Sequence, residues 1–106
     1  MRYEPTPIIE KEPAHQMNVN GVLVQSFYVN NGEGVNNHEH DYSHVTLCHS
    51  GKIRITNSYV QVDMDSNTPA ILIKGDEWHQ IEALENNTIF ISVFSLIDPS
   101  AEQVTQ

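Results

Sequence analysis

Residues 32–51 read "GEGVNNHEHDYSHVTLCHSG" and place three of the chain's six histidines, His38, His40 and His44, within seven positions. His38 and His40 are two residues apart, so on a β-strand both side chains leave the same face, about 7 Å apart along it. That spacing allows both imidazoles to reach one metal ion through bonds of about 2.1 Å. The pair therefore indicates a metal site, although exposed surface histidines have the same pattern.

His44 needs a bend in the chain before it can join the same ion. On a straight strand it would lie about 13 Å beyond His40, which is too far. Asp and Ser favour turns, so a turn over residues 41–43 is expected to return the chain and to start a neighbouring strand at His44. With that turn, the segment supplies three ligands.

Short β-rich runs separated by turn residues lie on both sides of this segment, and helical periodicity is nearly absent. The pair Asn20-Gly21 predicts a hairpin before a strand at 22–29, and residues 30–37 are rich in Gly and Asn, which predicts a loop. The run 52–56 is expected to pair with 45–48 across Ser50-Gly51. Further strands are predicted at 59–62, 70–73, 78–84 and 88–97. The pattern predicts an all-β sandwich or barrel.

The length of 106 residues predicts a single domain over 1–106. We expect an extended N-terminal arm at 1–18, a barrel at 19–97 and a C-terminal tail at 98–106. The run "TIFISVFSLI" at 88–97 is apolar on both faces, so one face is expected to line the core. A second subunit or the chain's own N-terminal segment would cover the other, and we expect a homodimer.

Composition excludes several classes of partner. The net charge is −9, and the five basic residues are scattered, so no nucleic acid or anionic membrane is expected as a partner. No apolar run approaches the ~20 residues of a membrane helix, and no secretory signal is recognisable. The single Cys48 excludes an internal disulfide. These features predict a cytoplasmic protein.

The histidine segment resembles the first motif of the cupin family, commonly written G-x5-H-x-H-x3,4-E-x6-G. Every spacing is reproduced by Gly32, His38, His40, His44 and Gly51, with His44 in the place of the glutamate. The resemblance implies an antiparallel jelly-roll β-barrel of the RmlC-like type.

The second cupin motif, G-x5-P-x-G-x2-H-x3-N, is matched more loosely by "NTPAILIKGDEWHQIEA". Gly75 and His79 are kept, with three residues instead of two between them, while Ile73 and Ala83 replace the proline and the asparagine. The resemblance implies that His79 is the fourth ligand, brought in from a facing strand. Further candidates for the pocket are Tyr28, Tyr42, Glu77 and Gln80.

The implied site is a mononuclear divalent-metal centre held by His38, His40, His44 and His79. Four neutral imidazoles leave the charge near +2, which favours a small anionic ligand. Nitrogen ligands suit Fe, Zn, Ni, Co, Cu or Mn better than Mg or Ca.

Two classes of function remain open. The first is an enzyme of unknown substrate, an oxygenase or a lyase or isomerase that uses the ion as a Lewis acid. The second is a non-catalytic cupin module that binds or senses a metal or a small molecule. Vacant coordination positions would favour the first, and a closed tetrahedral shell the second.

Overall fold

The structure, a computed structural model, describes residues 2–38, 43–75 and 77–95, with the backbone alone for 37 and 38, and these ranges form ten β-strands and no helix. In chain order the strands are β1 Ile9–Glu10, β2 His15–Val19, β3 Val22–Val29, β4 Glu33–His38, β5 His44–Ser50, β6 Ile53–Thr56, β7 Gln61–Met64, β8 Ile71–Ile73, β9 His79–Ala83 and β10 Thr88–Ser95. The part of the chain that is described contains no helix long and apolar enough to cross a membrane.

The strands form two five-stranded sheets that enclose one core. The first sheet has the order β1-β4-β9-β6-β7, and the second has the order β2-β3-β10-β5-β8. Both sheets contribute to the buried cluster, Ile53, Ile55, Met64, Ile81 and Ala83 from the first and Phe27, Val29, Cys48, Ile73 and Phe90 from the second. The predicted jelly roll is confirmed, as two facing sheets; within the described residues they do not close into one continuous barrel.

The sequence of β10 explains its central place in the second sheet. It pairs with β3 on one side and β5 on the other. Phe90 and Ser92 are buried in the core, where the Phe90 ring stacks on that of its partner Phe27 at 4.6 Å. Ile91 and Val93 alternate with them and lie half-buried on the outer face.

The hairpin predicted at Asn20-Gly21 joins β2 to β3. Asn20 has φ 52° and Gly21 has φ 81°. Positive φ at both central residues is typical of the type I′ turn, which matches the twist of paired strands.

Three local predictions were wrong. Residues 33–37, part of the loop predicted at 30–37, belong to β4 instead, which pairs with β9. The strand at 53–56 does not pair with β5 but lies in the first sheet, between β7 and β9. The sheets are also not purely antiparallel, because β1 runs parallel to β4.

The first sheet is covered on its outer face by the N-terminal residues. The backbone N–H of Thr6 donates to Gln80 Oε1 at 3.0 Å, and Gln80 Nε2 donates back to Thr6 Oγ1 at 2.7 Å. Ile8 is buried nearby, and its carbonyl accepts from Asn36 Nδ2 at 3.0 Å. The N-terminal segment therefore does not cover the outer face of β10, which belongs to the other sheet.

Candidate metal centre

Two of the four predicted ligands meet between the sheets. His44 begins β5 in the second sheet, and His79 begins β9 in the first. Along each strand the alternation that buries Cys48 and Ile81 turns the histidine inward too. The side chains are almost inaccessible, with 3% of His44 and 1% of His79 exposed.

The two imidazoles face each other through their Nε2 atoms, which lie 3.1 Å apart. The ring centroids are 5.0 Å apart and the ring planes are inclined by 53°. Neighbouring nitrogen ligands bound at about 2.1 Å are separated by about 3.0 to 3.4 Å, depending on whether the geometry is octahedral or tetrahedral. The pair therefore fits two ligands of one ion, while the same distance also fits a hydrogen bond between the rings.

Two hydroxyl groups hold the other ring nitrogen of His44, Nδ1. Its Nδ1 lies 3.1 Å from Thr46 Oγ1, which lies 2.9 Å from Ser92 Oγ. Both hydroxyl groups belong to buried residues. If Nδ1 carries the ring proton and donates it to Thr46, then Nε2 has its lone pair available for a cation. The hydroxyl pair thus supports the tautomer that a metal ligand needs.

Two cavities adjoin His79. The smaller, of about 60 Å³, lies against both histidines and is also lined by Gln25, Phe27, Val35, Ile81, Ser92 and Phe94. The larger, of about 320 Å³, lies between β7 and β8 and includes Lys74, Glu77 and Tyr59 in its lining, besides His79 and aliphatic residues. A small molecule in the larger cavity would lie beside His79.

Solved structures with the same architecture confirm the fold. No protein-family model matches the sequence, and no curated protein matches it significantly. The chain is similar to KdgF from Halomonas sp., with a TM-score of 0.68 and 14% identity over 80% of this chain and 79% of that one. It is similar to a cupin-2 domain protein from Shewanella frigidimarina, with a TM-score of 0.64 and 13% identity over 80% and 83% of the two chains. It also resembles an RmlC-like cupin with a double-stranded β-helix fold from Methanocaldococcus jannaschii, with a TM-score of 0.65 and 12% identity over 85% and 81%. The chain has the cupin fold.

The other two predicted ligands, His38 and His40, are only partly within the described residues. The backbone of His38 is described, and its Cα is the register partner of His79 across β4 and β9. His40 and Tyr42 lie outside the described residues. The side chains that are described contain no group of three or more metal ligands. The four-histidine set therefore stays a prediction, in which His44 and His79 have the described geometry.

The remaining residues predicted for the pocket lie in different parts of the structure. Glu77 lines the larger cavity, and its Oε2 lies 3.5 Å from Asn57 Nδ2. Tyr28 is exposed on the outer face of the second sheet, and Gln80 is held by Thr6 on the outer face of the first. Neither of these two side chains faces the core between the sheets.

Sequence reasoning missed Thr46, Ser92 and Lys74. A signal existed for Thr46, because it lies two residues after His44 and shares its strand face. Ser92 lies between Phe90 and Phe94 on the inward face of β10, and a buried hydroxyl needs a partner. Lys74 follows β8 in a polar stretch, and nothing in that pattern distinguishes it from a solvated surface lysine.

Proposed function

We propose that this cupin holds one divalent transition metal ion between its two sheets and uses it to bind and transform a small anionic metabolite. The observation that carries the proposal is the 3.1 Å approach of the Nε2 atoms of His44 and His79 in a buried position. Two imidazoles brought from opposite sheets to a common point form a donor pair suited to Fe, Zn, Ni, Co, Cu or Mn.

The resemblance adds His38 and His40 as the remaining ligands. The register of β4 and β9, which pairs the Cα of His38 with that of His79, is compatible with a shared ion. When bound, such an ion supplies Lewis-acid chemistry or, if it is redox-active, oxygen chemistry. The chain itself orients His44, since the hydroxyl groups of Thr46 and Ser92 hold its Nδ1 side.

The larger cavity supports a small anionic ligand. Its volume of about 320 Å³ lies at the lower end of the range for small-molecule sites. Lys74 is the one cationic side chain in the described lining, which is otherwise aliphatic apart from Tyr59, Asn57, Glu77 and His79. A carboxylate bound near Lys74 would place its apolar part against Ile71 and Val62. Open space beside His79 favours a reactive centre over a storage site.

Elemental analysis of the full chain, purified without added metal or chelator, tests the metal site. We expect one ion per chain in the wild type and at least a tenfold lower content in His44→Ala and His79→Ala. The control is His49→Ala, which removes an exposed histidine of β5 and should retain the ion. Because apolar strands form the core, the far-UV circular dichroism of all three variants should remain that of a β protein.

A wild type without metal, or variants that keep it, would refute the metal site. The loaded protein then separates the two classes of function. Turnover of small carboxylates, or oxygen consumption by the Fe(II)-loaded protein with them, supports an enzyme. Binding of the same compounds without turnover supports the binding or sensing module.

A further inference from the structure

Residues 11–14 cross from one sheet to the other at an edge of the sandwich. They join β1, an edge strand of the first sheet, to β2, an edge strand of the second. Four extended residues reach about 14 Å, little more than the ~10 Å between packed sheets, so the connection must cross the gap directly. We call residues 11–14 the strap.

A cavity of about 280 Å³ lies under the strap, which contributes Lys11, Glu12 and Pro13 to its lining. Three further lining residues are shared with the cavity of about 60 Å³ that lies against His44 and His79. They are Gln25, Phe27 and Val35. These three side chains therefore separate two neighbouring cavities, one at the strap and one at the histidine pair. Of the three, Gln25 has a polar side chain and is only half-buried.

The strap and the larger cavity lie on opposite sides of the sandwich. The larger cavity lies between β7 and β8, which are the edge strands at the far end of each sheet from β1 and β2. His79 lines both the larger and the smaller cavity, whereas His44 lines the smaller one and not the larger. A molecule that reaches His44 from the strap side therefore need not pass through the larger cavity.

The strap is attached to the sheets at its two ends. At the first sheet the backbone N–H of Lys11 donates to the carbonyl of Gly34 at 2.9 Å, and at the second that of Ala14 donates to the carbonyl of Ser26 at 2.8 Å. In the described part of the chain, the two residues between them donate no backbone hydrogen bond to either sheet, and Pro13 has no N–H to donate. The middle of the strap is therefore held only through its ends.

We propose that the strap controls the passage of small solutes, the metal ion among them, between solvent and the histidine pair. The ion pair between Lys11 Nζ and Glu33 Oε2, at 3.5 Å, adds little to its attachment, because 44% of the Lys11 side chain is exposed. A segment with so few contacts opens locally at a lower free energy than the two sheets separate. Solutes can then enter the cavity under the strap and pass Gln25 to reach His44.

The charges of the two larger cavities favour different molecules. The cavity under the strap is lined by Glu10 and Glu12 against Lys11, while the other has Lys74 against Glu77. A cation is attracted more strongly to the first, which leaves the second to an anionic ligand. This division between ion and anion rests on the proposed function, whereas the control of access by the strap does not.

Diethylpyrocarbonate, a small neutral reagent that acylates imidazoles, tests the strap in the metal-free full chain. Tandem mass spectrometry of peptides compares the labelling of His44, which is 3% exposed, with that of the exposed His49. Pro13→Gly should raise the rate at His44 about two- to fivefold, because glycine removes the restriction that proline places on the strap. Lys11→Gln should raise it about twofold through the loss of the exposed ion pair.

Pro5→Gly is the matched control. It makes the same substitution at an exposed proline outside the strap and should leave the labelling of His44 unchanged. The reactivity of the buried Cys48 in the same samples measures opening of the whole core. Unchanged labelling of His44 in both strap variants overturns the proposal. A rise that Cys48 follows also overturns it, as does a wild type that labels His44 as fast as His49.

Uptake of Co²⁺ by the metal-free protein, followed by its visible absorbance, tests the passage of the ion. Pro13→Gly leaves the net charge unchanged, so its effect reports the strap alone. Uptake, and release into excess chelator, should accelerate by the same factor while the Kd stays constant, because easier opening helps both directions equally. Wild-type rates in a variant with faster labelling of His44 would refute entry of the ion under the strap. A wild type that binds no Co²⁺ would refute the proposed function, and the labelling would still decide whether the strap controls access.

Discussion

Thr46 Oγ1 lies 3.1 Å from Nδ1 of His44, on the side of the imidazole opposite to the atom that meets His79. The two residues are neighbours on one face of β5, and both are buried. Because the imidazole has one proton to place, the partner of Nδ1 decides what Nε2 can do. The hydroxyl group of Thr46 is therefore placed to position His44 for the proposed metal centre.

The change Thr46→Val keeps the shape of the side chain and removes the hydroxyl group. We expect the affinity for Zn²⁺ to fall by about 10- to 100-fold, since partners of ligating histidines have effects of this size. The free energy of unfolding should also fall by about 1–3 kcal/mol, because the ring nitrogen and Ser92 lose a buried partner. Competition with a chelator measures the first, and urea denaturation of the metal-free protein measures the second.

The variant Thr88→Val distinguishes the effect of Thr46 on metal affinity from a general loss of stability. Thr88 is also fully buried, and its hydroxyl group donates to the carbonyl of Glu85 at 2.8 Å, away from the histidines. This variant should lose stability while its affinity for Zn²⁺ remains that of the wild type. Thr46→Ser should restore the affinity. Equal affinity in Thr46→Val and the wild type would show that another group fixes the tautomer of His44.

The variant Lys74→Gln tests whether an anionic ligand binds beside Lys74 in the larger cavity. Small carboxylates such as pyruvate and benzoate should bind about tenfold more weakly to this variant, because a charge-assisted hydrogen bond is replaced by a neutral one. Isothermal titration of the metal-loaded protein measures the change. Metal content should be unaffected, because Lys74 is not a ligand.

Lys52→Gln is the matched control for charge. Lys52 lies between β5 and β6 and does not line the larger cavity. Both substitutions make the net charge more negative by one, so a general electrostatic effect would weaken binding equally in both. Equal weakening would therefore remove Lys74 from the ligand site.

The strands were predictable where local chemistry determines them. Asn20-Gly21 adopts the positive φ values that its turn requires, and the strict alternation of residues 53–56 gives the strand β6. The pairing of the strands with one another was not predictable. The chain does bend at Gly51, which has φ 77°, but there it crosses from the second sheet to the first instead of forming a hairpin. Turn residues indicate a change of direction and not the sheet that the next strand joins.

In the candidate site too, the sequence indicated individual residues but not the contacts that depend on strand pairing. The spacing of residues 38–44 indicated metal ligands, and the family resemblance singled out His79. Position 46 is separated from Ser92 by 46 residues, and their hydroxyl contact depends on the pairing of β5 with β10. Residues 33–38 show the converse, since β9 holds them in a strand despite a composition typical of loops.

Cys48 provides a pH test of the core. Burial, followed by the negative charge of Asp65, raises the pKa of its thiol above the ordinary value of 9.0. The folded protein therefore holds the thiol proton more tightly than the unfolded chain does. This contribution to stability is complete below the ordinary pKa and is lost as the pH rises through the raised one.

The free energy of unfolding of the wild type should therefore decrease between neutral and alkaline pH by more than that of Cys48→Ala, in which this proton is absent. Urea denaturation of both proteins at a series of pH values measures the difference, and other alkaline titrations cancel in the comparison. In the native protein the thiol should also react with a disulfide reagent far more slowly than in urea, because Cys48 is 3% exposed. Parallel pH dependences together with rapid labelling would place the thiol outside the core, and would contradict the inward alternation of β5 that also turns His44 towards His79.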